Sequence, residues 1–423
     1  AYASGGVWHT NNNGTSFTSI SEGRPTQNIG EITMDWKNKV LWVGTGENNS
    51  SRSSYSGIGI LKTDPSGSNW VNVGLIDSHH IGKIIINPNN KDHVVVGVTG
   101  HLYSKNENRG VYITKDGGGS WKKTLYVNDI TGIIDMASPP NSFNIIYAST
   151  WEKDRKAWNL DEDGKSSAIY KSIDGGDTWN KITEENSGFP VGEGVGRIGI
   201  AVYDENIAYA VLDNQYRREL KTQNENESLT KESFKDISVD DFKKIKSEDL
   251  NRFLRSNRFP RKYNAESVNS DINSGKIEPN DLYNYLVNAN SELFDTPVIG
   301  AEVYKSIDGG QTWKKTHETY LEGLYYSYGY YFGKIHVDPN NSDKIYTYGV
   351  PLITSDDGGK TFYSIGKENV HADHHDLWIN PNKPGHLING NDGGVNITYD
   401  DGKNWIKNNS TEVGQFYSIN VDY

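Results

Sequence analysis

Ser172-Ile-Asp-Gly-Gly-Asp-Thr-Trp179 returns as Ser306-Ile-Asp-Gly-Gly-Gln-Thr-Trp313, and the same template holds at Thr114–Trp121 (TKDGGGSW) and Ser355–Phe362 (SDDGGKTF). Weaker copies stand at Thr10–Phe17, Thr63–Trp70 and Thr398–Trp405. The octet reads as a tight turn. Glycine takes φ > 0 at no steric cost, and the aspartate accepts N–H bonds within its own turn. The closing aromatic then anchors the strand that follows. Catalysis needs one or two carboxylates, not one per repeat, so these aspartates are read as structural. About seven copies, mostly ~45–60 residues apart, fall in the range of propeller-blade repeats.

Working outward, each octet follows a strand such as AIYKS, EVYKS or GVYIT. Upstream lie an apolar strand, a turn and another strand, as in GKIIINPNNKDHVVVGV, GKIHVDPNNSDKIYTYG and DLWINPNKPGHLING. Four-stranded repeats of this length stack radially. The expected fold is all-β: one seven-bladed β-propeller over residues 1–423. AYAS, GGVWHT and SFTSI would supply strands two to four of the last blade, and GQFYSINVDY its strand one. Both termini would then close the ring and remove exposed edges.

The spacing breaks at 216–297, between strands two and three of one blade. Ser238-Val-Asp-Asp241 resembles a capping box, FKKI…LNRFLRSNRF has helical apolar spacing, and Pro279 suits a helix start. A helical insertion is expected there, either overhanging the funnel as a lid or serving as a solvated decoration or partner-docking surface.

Composition narrows the partners. There is no cysteine, which excludes disulfides and thiolate metal sites. A net charge of −12 argues against nucleic acid. No apolar run approaches the roughly 20 residues needed to span a bilayer. Abundant Tyr, Trp, Asn, Gly and Ser suit a secreted, extracellular or cell-envelope protein. The chain begins at Ala1 rather than Met, which implies a removed N-terminal segment. A longer parent chain or a surface complex fits the same picture.

Strand one of each blade should line the channel. Aligning these strands gives Gly30, Gly82, Gly132, Gly196 and Gly333, with His375 and Tyr417 in the remaining two blades. The next position reads Glu31, Lys83, Ile133, Arg197, Lys334, Asp376 and Ser418, a mixed-charge lining. Residues just before strand one and just after strand two should crowd one funnel mouth. That predicts a ligand site of Glu47, His80, His101, Arg109, Trp151, Trp158, Tyr330, His371, His374, His375 and Tyr417. Carboxylates for catalysis would be Asp392, Asp376 and Asp213. The run VHADHHDLW (Val370–Trp378) suggests a divalent metal at His371, Asp373 and His375, but neighbours along a strand face opposite ways, so no cofactor is expected.

The repeated octet resembles the Asp-box, or BNR repeat, of sialidases, xyloglucanase-type glycoside hydrolases and the sortilin ectodomain. YASGGVWHT, VGTGENN, HIGKIIINP, GAEVYKSIDGGQTW, YFGKIHVDP and HADHHDLWINP…INGNDGG are most similar to secreted, sortilin-like Asp-box propellers of Bacteroidetes-type bacteria labelled glycosyl hydrolase. The resemblance covers nearly the whole chain. It implies a propeller that binds, and with a second carboxylate hydrolyses, a polysaccharide or glycoprotein glycan at its funnel. A non-catalytic scaffold holding a peptide or protein partner is the alternative. Arg197-Ile198 is followed by Gly199, not the proline of sialidases. Asp392-Gly393-Gly394 resembles the xyloglucanase aspartate element, whereas Ser4-Gly5-Gly6 lacks the carboxylate. A lone Asp392 cannot be both acid and base.

Overall fold

In the computed structural model, all residues are described except 219–228, 258, 261, 287–297, 409–410 and 415–423. The chain divides into two compact units, Ala1–Arg217 with Val298–Tyr423, and Arg218–Pro297.

Among the described residues the first unit is a propeller of six four-stranded antiparallel sheets. The innermost strands of blades one to six are Ile29–Asp35, Ile81–Asn87, Thr131–Ala137, Val195–Val202, Lys334–Asp338 and His374–Ile379. Consecutive inner strands pack side by side, which makes the succession radial. The expected seventh four-stranded blade is not present among the described residues. At its place Trp8–His9 pairs with Thr18–Ser19 as a two-stranded unit, and the proposed strand from GQFYSINVDY lies outside the described residues. This unit touches both neighbours. Trp70 of blade one donates its indole N–H to Ile20 O at 3.1 Å, and Asn13 Nδ2 donates to the Tyr399 hydroxyl of blade six at 2.6 Å.

The repeated octets form the turns between strands three and four. In Ser172–Trp179, Asp174 Oδ1 accepts from the Thr178 amide at 3.0 Å and Oδ2 from the Thr178 hydroxyl at 2.6 Å. Ser172 Oγ accepts from Gly176 N at 2.9 Å. Gly175 and Gly176 take φ of 74° and 94°, where a side chain would be strained. The tryptophan does more than anchor its own strand. Trp121 reaches Val73 O at 2.6 Å, Trp179 reaches Thr124 Oγ1 at 3.1 Å, and Trp405 reaches Ile365 O at 2.8 Å. Each indole thus ties its blade to the one before it. Between blades the core is aliphatic and aromatic, with Val94, Val96, Tyr147, Tyr209, Ile345 and Tyr346 fully buried.

Inner strands carry bulges near their entry, at Gly30, Gly82 and His375 in blades one, two and six. In blade three the irregularity falls between Ile133 and Asp135, two residues later than the glycine alignment placed it. The bulge flips which side chain faces the channel. Asp135, not Ile133, therefore joins Lys83, Lys334 and Asp376 as a channel residue, and Ile133 is buried between blades.

The second unit has helices at Val239–Phe242, Ser247–Ser256, Ala265–Asn273 and Asn280–Leu286. They enclose a small core of their own, including Phe234, Phe242, Phe253 and Leu250. Ser238 caps its helix by accepting from Asp241 N at 3.1 Å, but the reciprocal capping box is found at Asn264 and Ser267 instead. Among the described residues no helix is long and apolar enough to cross a membrane.

Candidate binding site at the channel mouth

The mouth is built where second strands end and first strands begin. In blade one the chain turns at Gly46, whose φ of 87° and contact with His79 O leave no room for a side chain. Glu47 follows and is buried. Its carboxylate accepts from the Ser54 hydroxyl and, at 2.7 Å, from Asn49 N. Burial raises its pKa against the opposing pull of those bonds, Arg197 and His375. His80 is buried with Nδ1 2.6 Å from Glu47 O, and burial lowers it to about 3, so it is a neutral post for this loop.

Arg197 organises the centre. One amino group, Nη1, donates to Asn49 Oδ1 at 2.8 Å, Tyr330 O at 2.9 Å and Tyr331 O at 3.2 Å. Its guanidinium lies 5.8 Å from the Trp151 ring. It thereby joins blades one, three and four to the tyrosine loop before blade five. Trp151 is buried, its indole N–H bonded to Glu162 O at 2.7 Å. A hairpin, Asp154–Arg155 with Leu160–Asp161, extends from this blade. It sets the Arg155 guanidinium 5.9 Å from the Tyr330 ring. Lys153 is buried beside Trp151, and burial with Arg109 pulls its amine well below the usual lysine range.

Asp213 lies under this floor, 1% exposed. Gln215 Nε2 donates to its Oδ2 at 2.7 Å, and Gly329 packs flush on its carboxyl, where an added Cβ would overlap Cγ. Burial raises Asp213 to about 7. Glu162 is also raised, by burial and then by Asp213. Glu162 Oε2 and Arg155 Nε are buried without a hydrogen-bond partner.

Blade six supplies the accessible polar groups. His375 Nε2 meets Asp392 Oδ1 at 2.7 Å, and both side chains are solvent-exposed in part. The His375 ring stands edge-on to Tyr331 at 5.6 Å and stacks with Phe332 at 6.1 Å. Asp373, in the left-handed region at φ 63°, is raised by burial and then by Asp392.

The structure therefore brings Glu47, Trp151, Tyr330, His375 and Asp392 into one neighbourhood, with His80 beneath it. Other expected site residues sit elsewhere or serve the scaffold. Arg109 is buried and spends its guanidinium on the carbonyls of Thr99, His101, Ser104 and Asp129. His101 stacks on His79 at 3.7 Å and bonds Asp77 O at 2.9 Å. His374 is buried, with Nδ1 2.7 Å from Asn389 Oδ1, and burial lowers it to about 4. His371 and Trp158 are exposed, the latter at a hairpin tip. Asp376 faces the channel among Lys334, His336 and Lys83, away from Asp392. Tyr417 lies outside the described residues. No group of three or more His, Asp or Glu side chains among the described residues is arranged to hold a metal, His371, Asp373 and His375 included.

Sequence reasoning missed Lys153 and Glu162 and gave Arg197 only a channel role. Their places depend on the register of the blade-three hairpin and on the blade-four bulge, neither of which has a sequence signature.

Comparison by sequence finds no matching family and no matching curated protein. Similar solved structures include the GH74 xyloglucanase from Xanthomonas campestris, with TM-score 0.41 and 14% identity over 92% of this chain and 55% of that one. YCF48 bound to D1 peptide overlaps with TM-score 0.43 and 13% identity, covering 89% and 79%. An α-L-arabinofuranosidase mutant from Fusarium graminearum gives 0.38 and 12%, covering 76% and 78%. The chain spans about half the length of the first two GH74 structures it matches.

Proposed function

We propose that this chain is a secreted or cell-surface Asp-box propeller that binds a glycan at its channel mouth. The observation that carries the reading is the His375–Asp392 pair. It is solvent-reachable, 2.7 Å between partners, and flanked by the rings of Tyr331 and Phe332. The half-exposed Tyr331 ring beside paired polar groups suits the apolar C–H face and hydroxyls of a sugar, with the buried Phe332 backing His375.

Glycoside hydrolysis would need two accessible carboxyls of unlike protonation. Asp213 is raised but buried beneath Gly329, and Asp376 faces the channel, away from Asp392. Asp373 and Asp392 remain as the pair: Asp373 raised toward the acid form, Asp392 held beside His375. The fitting test is affinity electrophoresis and reducing-sugar release on a panel of plant and host polysaccharides, with wild type, Asp392→Asn and Asp373→Asn. Retarded migration lost in Asp392→Asn supports the binding site. Sugar release lost in both variants adds the hydrolytic role. No retardation by any glycan, together with retained capture of a peptide ligand, would favour the non-catalytic scaffold.

A further inference from the structure

Beyond the mouth, the channel holds a second feature that glycan binding does not use. A cavity of about 310 Å3 opens among the inner strands of blades two to six. It reaches Ala137, Ser138 and Val202, at the far ends of these strands from the mouth. That volume holds roughly ten waters.

Its walls are of two kinds. Blades three and four give apolar surface, with Met136, Ile200 and Val202. The other side carries Lys83, Lys334 and Asp376. Their bonding capacity is far from used. Among the described residues, Lys334 Nζ has one ion-pair contact, Asp376 Oδ2 at 3.6 Å. Lys83 Nζ meets the two oxygens of Glu31 at 3.3 and 3.4 Å. Engaged ammonium–carboxylate bonds run about 2.7–2.9 Å, and each ammonium has three donors. Asp376 Oδ1 accepts from Leu377 N at 2.9 Å and the Tyr348 hydroxyl at 3.3 Å, while Oδ2 has only the long lysine contact. Water reaches about 66% of the Asp376 side chain, although it stands deep in the ring.

Two other titratable groups of the lining, Asp135 and His336, are already engaged. Asp135 accepts from Met136 N at 2.9 Å and Ile200 N at 3.0 Å. His336 Nε2 meets the Tyr348 hydroxyl at 2.9 Å, and burial, lowering it to about 4, keeps it neutral. The Ala1 amino group is within electrostatic range of Asp376 and Glu31, but Ala1 does not line the cavity.

We propose that this cavity binds a small zwitterion with an apolar side chain, an α-amino acid of about leucine's size. Its carboxylate would take the free donors of Lys83 and Lys334, its ammonium the open oxygen of Asp376, and its side chain the Met136, Ile200 and Val202 wall. Phosphate fits poorly because carboxylates alternate with the lysines around the ring. A sugar fits poorly because no Phe, Tyr or Trp among the described residues lines the cavity.

Isothermal titration of the full chain at neutral pH tests this with L-leucine, leucinamide, 4-methylpentanoate, inorganic phosphate and glucose. Leucine is expected to bind. Leucinamide, which lacks the carboxylate, and 4-methylpentanoate, which lacks the amine, should each bind about tenfold more weakly or worse. That is the size expected for one lost charge-assisted hydrogen bond. Lys334→Met and Asp376→Asn should weaken leucine by a similar factor, and the exposed Lys115→Met should not. The analogue series needs no variant, so a misfolded mutant leaves the test intact. Absence of leucine binding at millimolar concentration, equal binding of leucine and the two truncated analogues, or preference for phosphate or glucose would overturn the assignment. Glycan binding at the mouth is scored separately and stands or falls by itself.

Discussion

Replacing Asp213 by Asn should change how stability depends on pH. The carboxyl is 1% exposed, capped by Gly329, and raised from 3.8 to about 7, chiefly by burial. A carboxyl raised in the folded state is favoured there in its protonated form. Its contribution is fully present below the unfolded pKa and is lost as pH rises through the folded one. The shift, at about 1.4 kcal/mol per unit, amounts to about 4 kcal/mol lost between about pH 4 and pH 8. The asparagine side chain would keep the shape and could still accept from Gln215, but would carry no charge. At acidic pH the two proteins should be similarly stable. At about pH 8 the variant should be the more stable by up to about 4 kcal/mol. For a chain this long, with about 2.1 cal/mol/K of unfolding entropy per residue, that is about 4 °C in Tm. Glu162 is raised in the same direction, partly by Asp213, so a weaker slope should persist in the variant. Urea unfolding followed by tryptophan fluorescence across this range reads the difference directly. Parallel wild-type and variant profiles would refute the buried-acid account, because they would mean Asp213 titrates alike in the folded and unfolded chain.

Other substitutions probe the same architecture. Gly329→Ala drives a Cβ into the Asp213 carboxyl and should cost about 1–3 kcal/mol by overpacking, read as a lowered urea midpoint. Its combination with Asp213→Ala should recover part of the loss. Arg197→Met leaves Tyr330 O and Tyr331 O without their shared donor, and a loss of about 1–3 kcal/mol is expected, with faster proteolysis at residues 325–332. Asp174→Ala removes the acceptor for both Thr178 donors and should cost about 1–2 kcal/mol in the same unfolding assay while leaving ligand binding at the mouth unchanged.

The propeller was legible because its signals are local. A turn with two positive-φ glycines, a carboxylate that closes it, and period-two strands on either side need only a few consecutive residues to be recognised. So the octet at Ser172–Trp179 named the blade, but its seven copies exceed the six four-stranded blades found among the described residues. The helices of the inserted segment were visible for the same reason, through Ser238 and the apolar spacing of Ser247–Ser256. The expected mouth was a statement about topology, and it gathered Glu47, Trp151, Tyr330, His375 and Asp392 into one region.

Which of those side chains reach solvent was decided by the tertiary structure alone. Arg109 and His374 look like ligand-binding residues, yet one spends its donors on four carbonyls and the other is buried against Asn389. Asp213 and Asp392 are the same residue type on the second strands of their blades, one within the strand and one just past its end, but Gly329 covers one and His375 pairs with the other. One bulge in blade three brings Asp135 to the channel and buries Ile133. Turn chemistry is written in neighbouring residues. Burial, charge pairing and strand register arise only when distant segments pack, and they separate the open His375–Asp392 pair from the sealed Asp213.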